Sequence, residues 1–161
     1  TPKPSSAASD VYKRQVSAPA MGRMWWATRG GGAFTQEVNG TVRQLAVSQV
    51  GRAEDASFAY SDPVGWDRYG ERGVMAFNTL LRTTWRSRGY GDFLSHVLVA
   101  EGAVDIAAEP TLEPWDVAAL VPIVAEAGGR MTGYDGGNCL RSRAGLTTNG
   151  LLHDWALSLL N

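Results

Sequence analysis

The spacing of apolar residues changes several times along the chain and so predicts strands alternating with helices. Short runs rich in aromatic and aliphatic residues, often bounded by glycine, have the length and composition of strands. One pair of these runs flanks an Asn-Gly step at residues 39–40, which is typical of a tight hairpin turn. The predicted strands lie at 23–30, 43–48, 56–61, 83–88, 103–109, 129–136 and 144–150.

Three longer stretches repeat apolar residues at helical spacing. The first is 67–81, and the last is a terminal helix at 151–160. Between them, "GDFLSHVLVAEG" at 91–102 predicts a helix that Asp92 caps and Gly102 ends. Because strands and helices alternate through most of the chain, the pattern predicts an α/β fold, a layered sandwich of sheet and helices.

A further helix is predicted after Trp115, in "VAALVPIVAEAGG". It is apolar almost all round, so it should be buried on most sides. Glycines at 128–129 end it, and Pro122 inside it removes one backbone donor, which predicts a kink or an irregular turn. Its first turn carries one acidic residue, Asp116.

Asp116 has two interpretations. A carboxylate in the first turn can simply cap the helix, because free N–H groups and the helix dipole favour negative charge there. However, Glu109, Glu113 and Asp116 crowd around Pro110 and Pro114 in a short loop. Such carboxylates repel one another unless a cation or hydrogen-bond donors are present, and hard oxygen ligands suit Mg²⁺.

Composition narrows the class of protein without identifying a function. The 161 residues suit one domain or part of a larger one, and 44% hydrophobic with 19% charged residues is ordinary for a globular protein. A net charge of −1 gives no reason to expect nucleic acid or an anionic membrane as partner. The sequence contains no run of eighteen apolar residues, so no transmembrane helix is predicted. The single cysteine, Cys139, excludes an internal disulfide and fits a cytoplasmic location.

The first residues differ from the rest. "TPKPSSAASDVYKRQ", residues 1–15, is rich in Pro, Ser and Ala and has no helical or strand periodicity. We predict that it is a non-native or disordered leader. Residues 16–161 begin abruptly, in what has the character of mid-domain sequence, and form the predicted domain.

Several motifs together resemble one family. "PWDVAALVPIVAEAGGRMT" is similar to the C-terminal signature of the inositol monophosphatase family, and "WWATRGGGAF", "RSRGYGDFLSHVLVAEGAVDIAAE" and "LTTNG" extend the resemblance from residue 16 to the end. The resemblance implies the C-terminal portion of that fold, a mixed sheet flanked by helices. Within the family, "RGYGDF" with "LVAEGAVDIAAE" looks most like the histidinol-phosphate phosphatase branch of histidine biosynthesis.

The resemblance also implies roles for particular residues in a magnesium-dependent phosphomonoesterase. Asp116 matches a catalytic metal ligand, and Glu109 matches a residue that contacts the non-phosphate part of the substrate. The segment from Arg88 through Gly91 to Asp92 matches the lining of the same pocket. We expect Glu109 or Asp92 to pair with the ammonium of histidinol phosphate and Arg88 to hold phosphate oxygens.

The other metal-binding motifs of the family, a Glu-Glu pair and Asp-Pro-x-Asp-Gly-Thr, do not occur in this sequence. "SDPVGWD" at 61–67 begins Asp-Pro but departs from the motif, and we interpret it as a surface turn. Because one carboxylate cannot hold a catalytic Mg²⁺ alone, we expect the chain to be an N-terminally truncated and inactive fragment of a phosphatase.

Alternatives remain open at this point. The substrate could instead be an inositol phosphate or another sugar or nucleotide phosphate. A different class altogether is a non-catalytic α/β module that binds a partner. Family members are commonly dimeric, which leaves a homodimer open. His96 and His153 have no partners at zinc spacing and are interpreted as packing or surface residues, and Cys139 as an inert thiol.

Overall fold

Four consecutive strands form an antiparallel meander, the first of two sheets. The structure is a computed structural model and describes residues 13–161. Each strand pairs with the next, and the predicted Asn-Gly hairpin lies between the third and the fourth, where the Glu37 N–H donates to the Thr41 carbonyl at 2.9 Å. The strands are β1 (Lys13–Ala18), β2 (Arg23–Thr28), β3 (Gly32–Gln36) and β4 (Val42–Gln44).

The predicted leader overlaps the start of this sheet. Residues 1–12, which make up most of it, lie outside the described residues. Lys13 to Gln15 belong to β1, and Gln15 lies opposite Trp26 of β2. The sheet therefore begins before the domain boundary that we predicted at residue 16.

The second sheet is mixed and carries five strands in the order β6-β5-β7-β9-β8. Its strands are β5 (Ser57–Tyr60), β6 (Arg86–Gly89), β7 (Ile106–Glu109), β8 (Arg130–Thr132) and β9 (Gly145–Thr148). β5 runs parallel to both β6 and β7, whereas β9 is antiparallel to both β7 and β8. The carboxyl ends of β5, β6 and β7 consequently meet at one edge, which is where α/β sheets bind ligands.

Helices cover both faces of the second sheet. α1 and α6 pack on its outer face, and α2 and α4 lie between the two sheets, so the layered α/β fold is confirmed. Among the residues from 13 onward, no helix is both long and apolar enough to cross a bilayer. The α-helices are α1 (Gly70–Thr83), α2 (Asp92–Ala100), α3 (Pro114–Val117), α4 (Leu120–Glu126), α5 (Cys139–Ser142) and α6 (His153–Leu160), with 3₁₀ helices at Pro19–Met21, Ala53–Asp55 and Val64–Tyr69.

The two largest apolar cores follow from this layering. The outer core joins α1 and α6 to the second sheet, and the inner core joins the meander to α2 and α4. Two fully buried tryptophans, Trp66 in the outer core and Trp25 in the inner one, are the largest side chains in them. Burying an aromatic side chain of this size is worth several kcal/mol, so about 3–5 kcal/mol would be lost on truncation to alanine.

The long apolar helix predicted after Trp115 is two short helices. The break falls at Ala118–Ala119, between α3 and α4, four residues before Pro122. A proline ring clashes with the carbonyl four positions earlier, and this explains where the helix breaks. The expectation of burial on most sides is wrong, because Ala118 and Ala125 are exposed while only one face of α4 is buried.

Both histidines are confirmed as packing residues. His96 is buried, with Nδ1 2.8 Å from Thr147 Oγ1, and burial lowers its pKa to about 4. His153 is buried between Thr132 and Thr148. Burial is the main reason that its pKa is lowered to about 4, and the nearby Arg130 charge lowers it further. Each ring is therefore neutral at pH 7 and is held by hydroxyl groups.

Gly102 is a position at which we expect an added methyl group to lower stability. It ends the turn after α2 with φ +74, and a Cβ there would lie 2.8 Å from the Ala46 carbonyl oxygen. We expect Gly102→Ala to lower the free energy of unfolding by about 2 kcal/mol or more, because left-handed strain adds to a backbone clash. Urea denaturation measures the change.

Gly51→Ala is the matched control. Its Cβ would meet no heavy atom within 4 Å. That variant should unfold within about 0.5 kcal/mol of the parent, as surface substitutions commonly do. Equal midpoints for the two variants would contradict the strain assigned to Gly102.

Candidate active site

Three carboxylates line one cavity at the carboxyl edge of the parallel strands. Glu109 is the last residue of β7, Asp92 opens α2 shortly after β6, and Asp116 lies in α3. The cavity has a volume of about 270 Å³. Its remaining lining residues are Phe93, Thr111, Leu112 and Leu120, so no lysine or arginine among residues 13–161 lines it. The structure thus brings together three of the five predicted site residues.

Glu109 is the most deeply buried of the three carboxylates, with only 6% of its surface exposed. Its Oε1 accepts a hydrogen bond from the Ser61 hydroxyl, whereas its Oε2 is buried without a partner among the described residues. Burial raises the pKa of Glu109 to about 7. The Ser61 bond opposes this rise, and the negative charges of Asp92, Asp62 and Asp116 add to it.

Asp116 takes part in capping its helix, which is one of the two interpretations that the sequence left open. Its Oδ2 accepts the Glu113 backbone N–H at 2.8 Å, so it does tie off the first turn of α3. Its Oδ1 accepts no hydrogen bond within residues 13–161, and the residue is exposed at the cavity. A carboxylate has enough lone pairs to cap a helix with one oxygen and offer the other to a cation.

Asp92 does not cap α2 as predicted. Gly91 occupies the capping position with φ 80, and no side chain bonds to the first turn. Asp92 itself has φ 48, a left-handed conformation that is uncommon for residues other than glycine. The two consecutive left-handed residues turn the chain sharply out of β6, and the Asp92 carboxylate lines the cavity. Such backbone conformations concentrate at functional sites.

Arg88 and Gly91 are the predicted site residues that do not line this cavity. Arg88 borders a separate cavity of about 130 Å³ with Trp85 and Tyr90, and its Nη1 donates to the Ser87 carbonyl at 2.7 Å. It lies on β6, the edge strand, before the chain turns toward the site. Gly91 only supplies the turn next to Asp92.

Sequence reasoning missed Ser61 and Asp62. The interpretation of 61–67 as a surface turn holds only at its start, where Asp62 Oδ1 accepts the Val64 N–H at 2.9 Å. From Val64 the chain forms a 3₁₀ helix in which Trp66 is fully buried, so the rest of the interpretation is wrong. The same segment nevertheless follows β5 directly, and β5 pairs in parallel with β7, which ends at Glu109. The available signal was therefore polar residues immediately after a buried strand.

The donor chemistry of the cavity suits Mg²⁺ but supplies only part of a ligand set. Within residues 13–161 no group of three His, Cys, Asp or Glu side chains is arranged to hold a metal ion. What the cavity does offer is hard oxygen atoms, including the Asp116 Oδ1 on a helix start. One or two carboxylates completed by phosphate and water is a usual way for proteins to bind Mg²⁺.

Comparison with known proteins identifies the family. The pattern that defines the inositol monophosphatase family matches residues 15–161. The chain belongs to this family. The resemblance inferred from the "PWDVAALVPIVAEAGGRMT" motif is thereby confirmed, and the family match begins at the end of the predicted leader.

Relatives within the inositol monophosphatase family include two proteins named histidinol-phosphatase. The one from Mycobacterium tuberculosis is 51% identical over 146 residues, which cover 91% of this chain and 55% of the relative. The one from Streptomyces coelicolor is 49% identical over 146 residues, covering 91% of this chain and 54% of the relative. The chain therefore spans about half the length of the curated relatives it matches.

A solved structure supports the fold of the family. The IMPase of Thermotoga maritima superposes with a TM-score of 0.77 at 29% sequence identity, over 92% of this chain and 55% of that one. The mixed sheet flanked by helices in this chain is thus a fold of the inositol monophosphatase type.

Proposed function

We propose that this chain is the C-terminal part of a magnesium-dependent phosphomonoesterase that hydrolyses histidinol phosphate. The observation that carries the proposal is a cavity that, in the described part of the chain, is lined by three carboxylates and by no cationic side chain. Hydrolysis of histidinol phosphate releases an alcohol as the leaving group, and this alcohol carries an ammonium group. An acidic cavity favours this leaving group over the uncharged ring of inositol. The two relatives named histidinol-phosphatase support the same substrate.

The three carboxylates divide two tasks in this proposal. Asp116 would hold Mg²⁺ together with ligands from the rest of the full-length protein. Its Oδ1 is available at the cavity, while its Oδ2 fixes the side chain. When bound, the metal polarises the phosphate and lowers the pKa of a bound water. Glu109 and Asp92 bind and orient the ammonium group, and Ser61 holds Glu109 in place.

The phosphate role predicted for Arg88 gains no support from its placement. Its guanidinium borders a different cavity from the three carboxylates. We therefore leave Arg88 out of the proposed mechanism, and its role stays a prediction. Gly91 contributes through the backbone turn that presents Asp92.

The isolated chain should not turn over substrate under this proposal. Its described residues offer no three-ligand metal site, and Asp116 alone would hold Mg²⁺ weakly. Assays of the proposed function therefore need the full-length protein that contains this segment. The isolated chain serves as a matched negative control in the same assays.

A side-by-side turnover assay tests the substrate. We expect the full-length protein to show a kcat/KM for histidinol phosphate at least about tenfold higher than for inositol 1-phosphate, since a charged hydrogen bond contributes roughly 1.5–3 kcal/mol. No preference, or a preference for inositol phosphate, would refute the histidinol assignment. Absence of turnover on both esters would favour the non-catalytic binding module instead.

A further inference from the structure

The segment of residues 110–113 joins the two ends of the proposed site. Glu109 immediately precedes this connecting loop, and α3 with Asp116 begins immediately after it. The path of the connecting loop therefore sets where the two carboxylates lie relative to each other. Thr111 and Leu112 of the loop also line the cavity.

The first half of the connecting loop is bound by the 3₁₀ helix Val64–Tyr69. The Tyr69 hydroxyl donates to the Pro110 carbonyl at 3.1 Å. The Arg68 guanidinium donates through Nη1 to Thr111 Oγ1 at 2.7 Å and lies 3.5 Å from the Pro110 carbonyl oxygen. Neither Arg68 nor Tyr69 lines the acidic cavity itself.

The 3₁₀ helix that carries these two donors is anchored in the outer core. Trp66 is fully buried and stacks on Phe77 of α1 with ring centroids 5.1 Å apart. Trp66 also stacks on Tyr134 at 5.5 Å, and Tyr69 packs against the same tyrosine at 5.4 Å. The donors therefore project from a fixed support and not from a mobile loop.

The second half of the connecting loop is fixed from another direction. The Leu112 N–H donates to the Arg143 carbonyl at 2.8 Å, and Leu112 is buried. The Arg143 guanidinium pairs with Glu113. Because the second half has its own anchors, losing Arg68 should shift the Pro110–Thr111 end and leave α3 in place.

We propose that Arg68 and Tyr69 are positioning residues that hold the start of the connecting loop and so fix Glu109 relative to Asp116. Arg68 is exposed, so its contacts should add little to global stability. Their effect is geometric, since small displacements of site residues cost binding and rate well beyond the energy of the contact itself. The kinetic consequence rests on the proposed function, whereas the order of the loop does not.

Hydrogen exchange and kinetics test this together. In the full-length protein, Arg68→Gln should speed amide exchange at least about threefold in peptides covering residues 106–116, as loss of a charged hydrogen bond allows. Turnover of histidinol phosphate should fall about three- to tenfold in kcat/KM, mainly through KM, because Glu109 binds the leaving group. Tm should stay within about 2 °C of the parent.

Arg72→Gln is the matched control, because Arg72 is an exposed arginine one turn further along and contacts no residue of the connecting loop among those described. It should change neither exchange nor KM. Thr111→Val should reproduce the Arg68→Gln effect, and the double variant should be no worse than the stronger single one, as expected for partners in one contact. Tyr69→Phe should give a smaller change in the same direction.

The outcomes separate this inference from the proposed function. Unchanged exchange at residues 106–116 in Arg68→Gln, or fully additive effects with Thr111→Val, would overturn the positioning role even if the enzyme is active. Faster exchange confined to residues 106–116 would support the positioning role even if the parent hydrolyses neither ester. Failure to hydrolyse both esters would refute only the proposed function.

Discussion

Asp116→Asn should reduce phosphatase activity of the full-length protein by about 10²- to 10⁴-fold, because a metal-binding carboxylate supplies several kcal/mol of transition-state stabilisation. The fold should survive. The asparagine amide oxygen can still accept the Glu113 N–H that Asp116 Oδ2 accepts at 2.8 Å, so the start of α3 keeps its cap. Steady-state kinetics at saturating Mg²⁺, together with Tm, measure the two effects separately.

Asp135→Asn is the control for this experiment. Asp135 is also exposed and also accepts a backbone N–H, from Gly137 at 2.9 Å, but it lies outside the acidic cavity. Its amide variant should keep full activity. Near-normal turnover by Asp116→Asn would mean that the carboxylate only caps its helix and holds no catalytic ion.

Glu109→Gln should have the second largest effect and a different kinetic signature. We expect KM for histidinol phosphate to rise about 10- to 100-fold, since the charged hydrogen bonds lost are worth roughly 1.5–3 kcal/mol. Because the uncharged inositol ring gains nothing from the charge of Glu109, the preference for histidinol phosphate over inositol 1-phosphate should shrink. A variant with an unchanged substrate profile would show that Glu109 does not contact the leaving group.

The same substitution should change the pH dependence of binding. Burial is the main reason that the pKa of Glu109 rises from 4.5 to about 7. The carboxylate therefore ionises as the pH passes through 7, and KM for the ammonium ester should fall between about pH 6 and pH 8. In Glu109→Gln this fall should disappear, whereas Asp135→Asn should retain it.

Stability should respond to pH in the opposite sense. Since the folded pKa of Glu109 lies above its ordinary value, the folded state holds the proton more tightly. The stability that this provides is complete below pH 4.5 and is lost as the pH rises to about 7. Glu109→Gln removes this loss, so its Tm relative to the parent should be higher at about pH 8 than at about pH 5. A constant difference across that range would contradict the buried, proton-retaining carboxylate.

Local pattern was a good guide to most elements of this chain. The hairpin at Asn39–Gly40, the strand that ends at Glu109 and the terminal helix all lie where spacing and turn residues predict them. These features depend on residues close together in the sequence, such as an Asn-Gly step or apolar side chains at one period. Pro122 correctly predicted an irregular helix. The break falls at Ala118–Ala119 and not at the proline itself, because the proline ring clashes with the preceding turn.

Asp92 shows where local pattern fails. An aspartate before an apolar run normally predicts an N-cap. Here Gly91 and Asp92 both adopt left-handed backbone conformations, and the carboxylate lines the cavity. The turn out of β6 decides this outcome, and its geometry depends on how the strand meets the rest of the sheet.

The sequence by itself determined the family, the alternation of strands and helices, and the acidic character of the segment from Glu109 to Asp116. Only the tertiary structure decided that Ser61 supports Glu109, that Arg88 borders another cavity, and that Arg68 binds the connecting loop. The reason is the order of the parallel strands. Residues far apart in the chain become neighbours only when β5 pairs with β6 on one side and β7 on the other, and no local periodicity encodes that pairing.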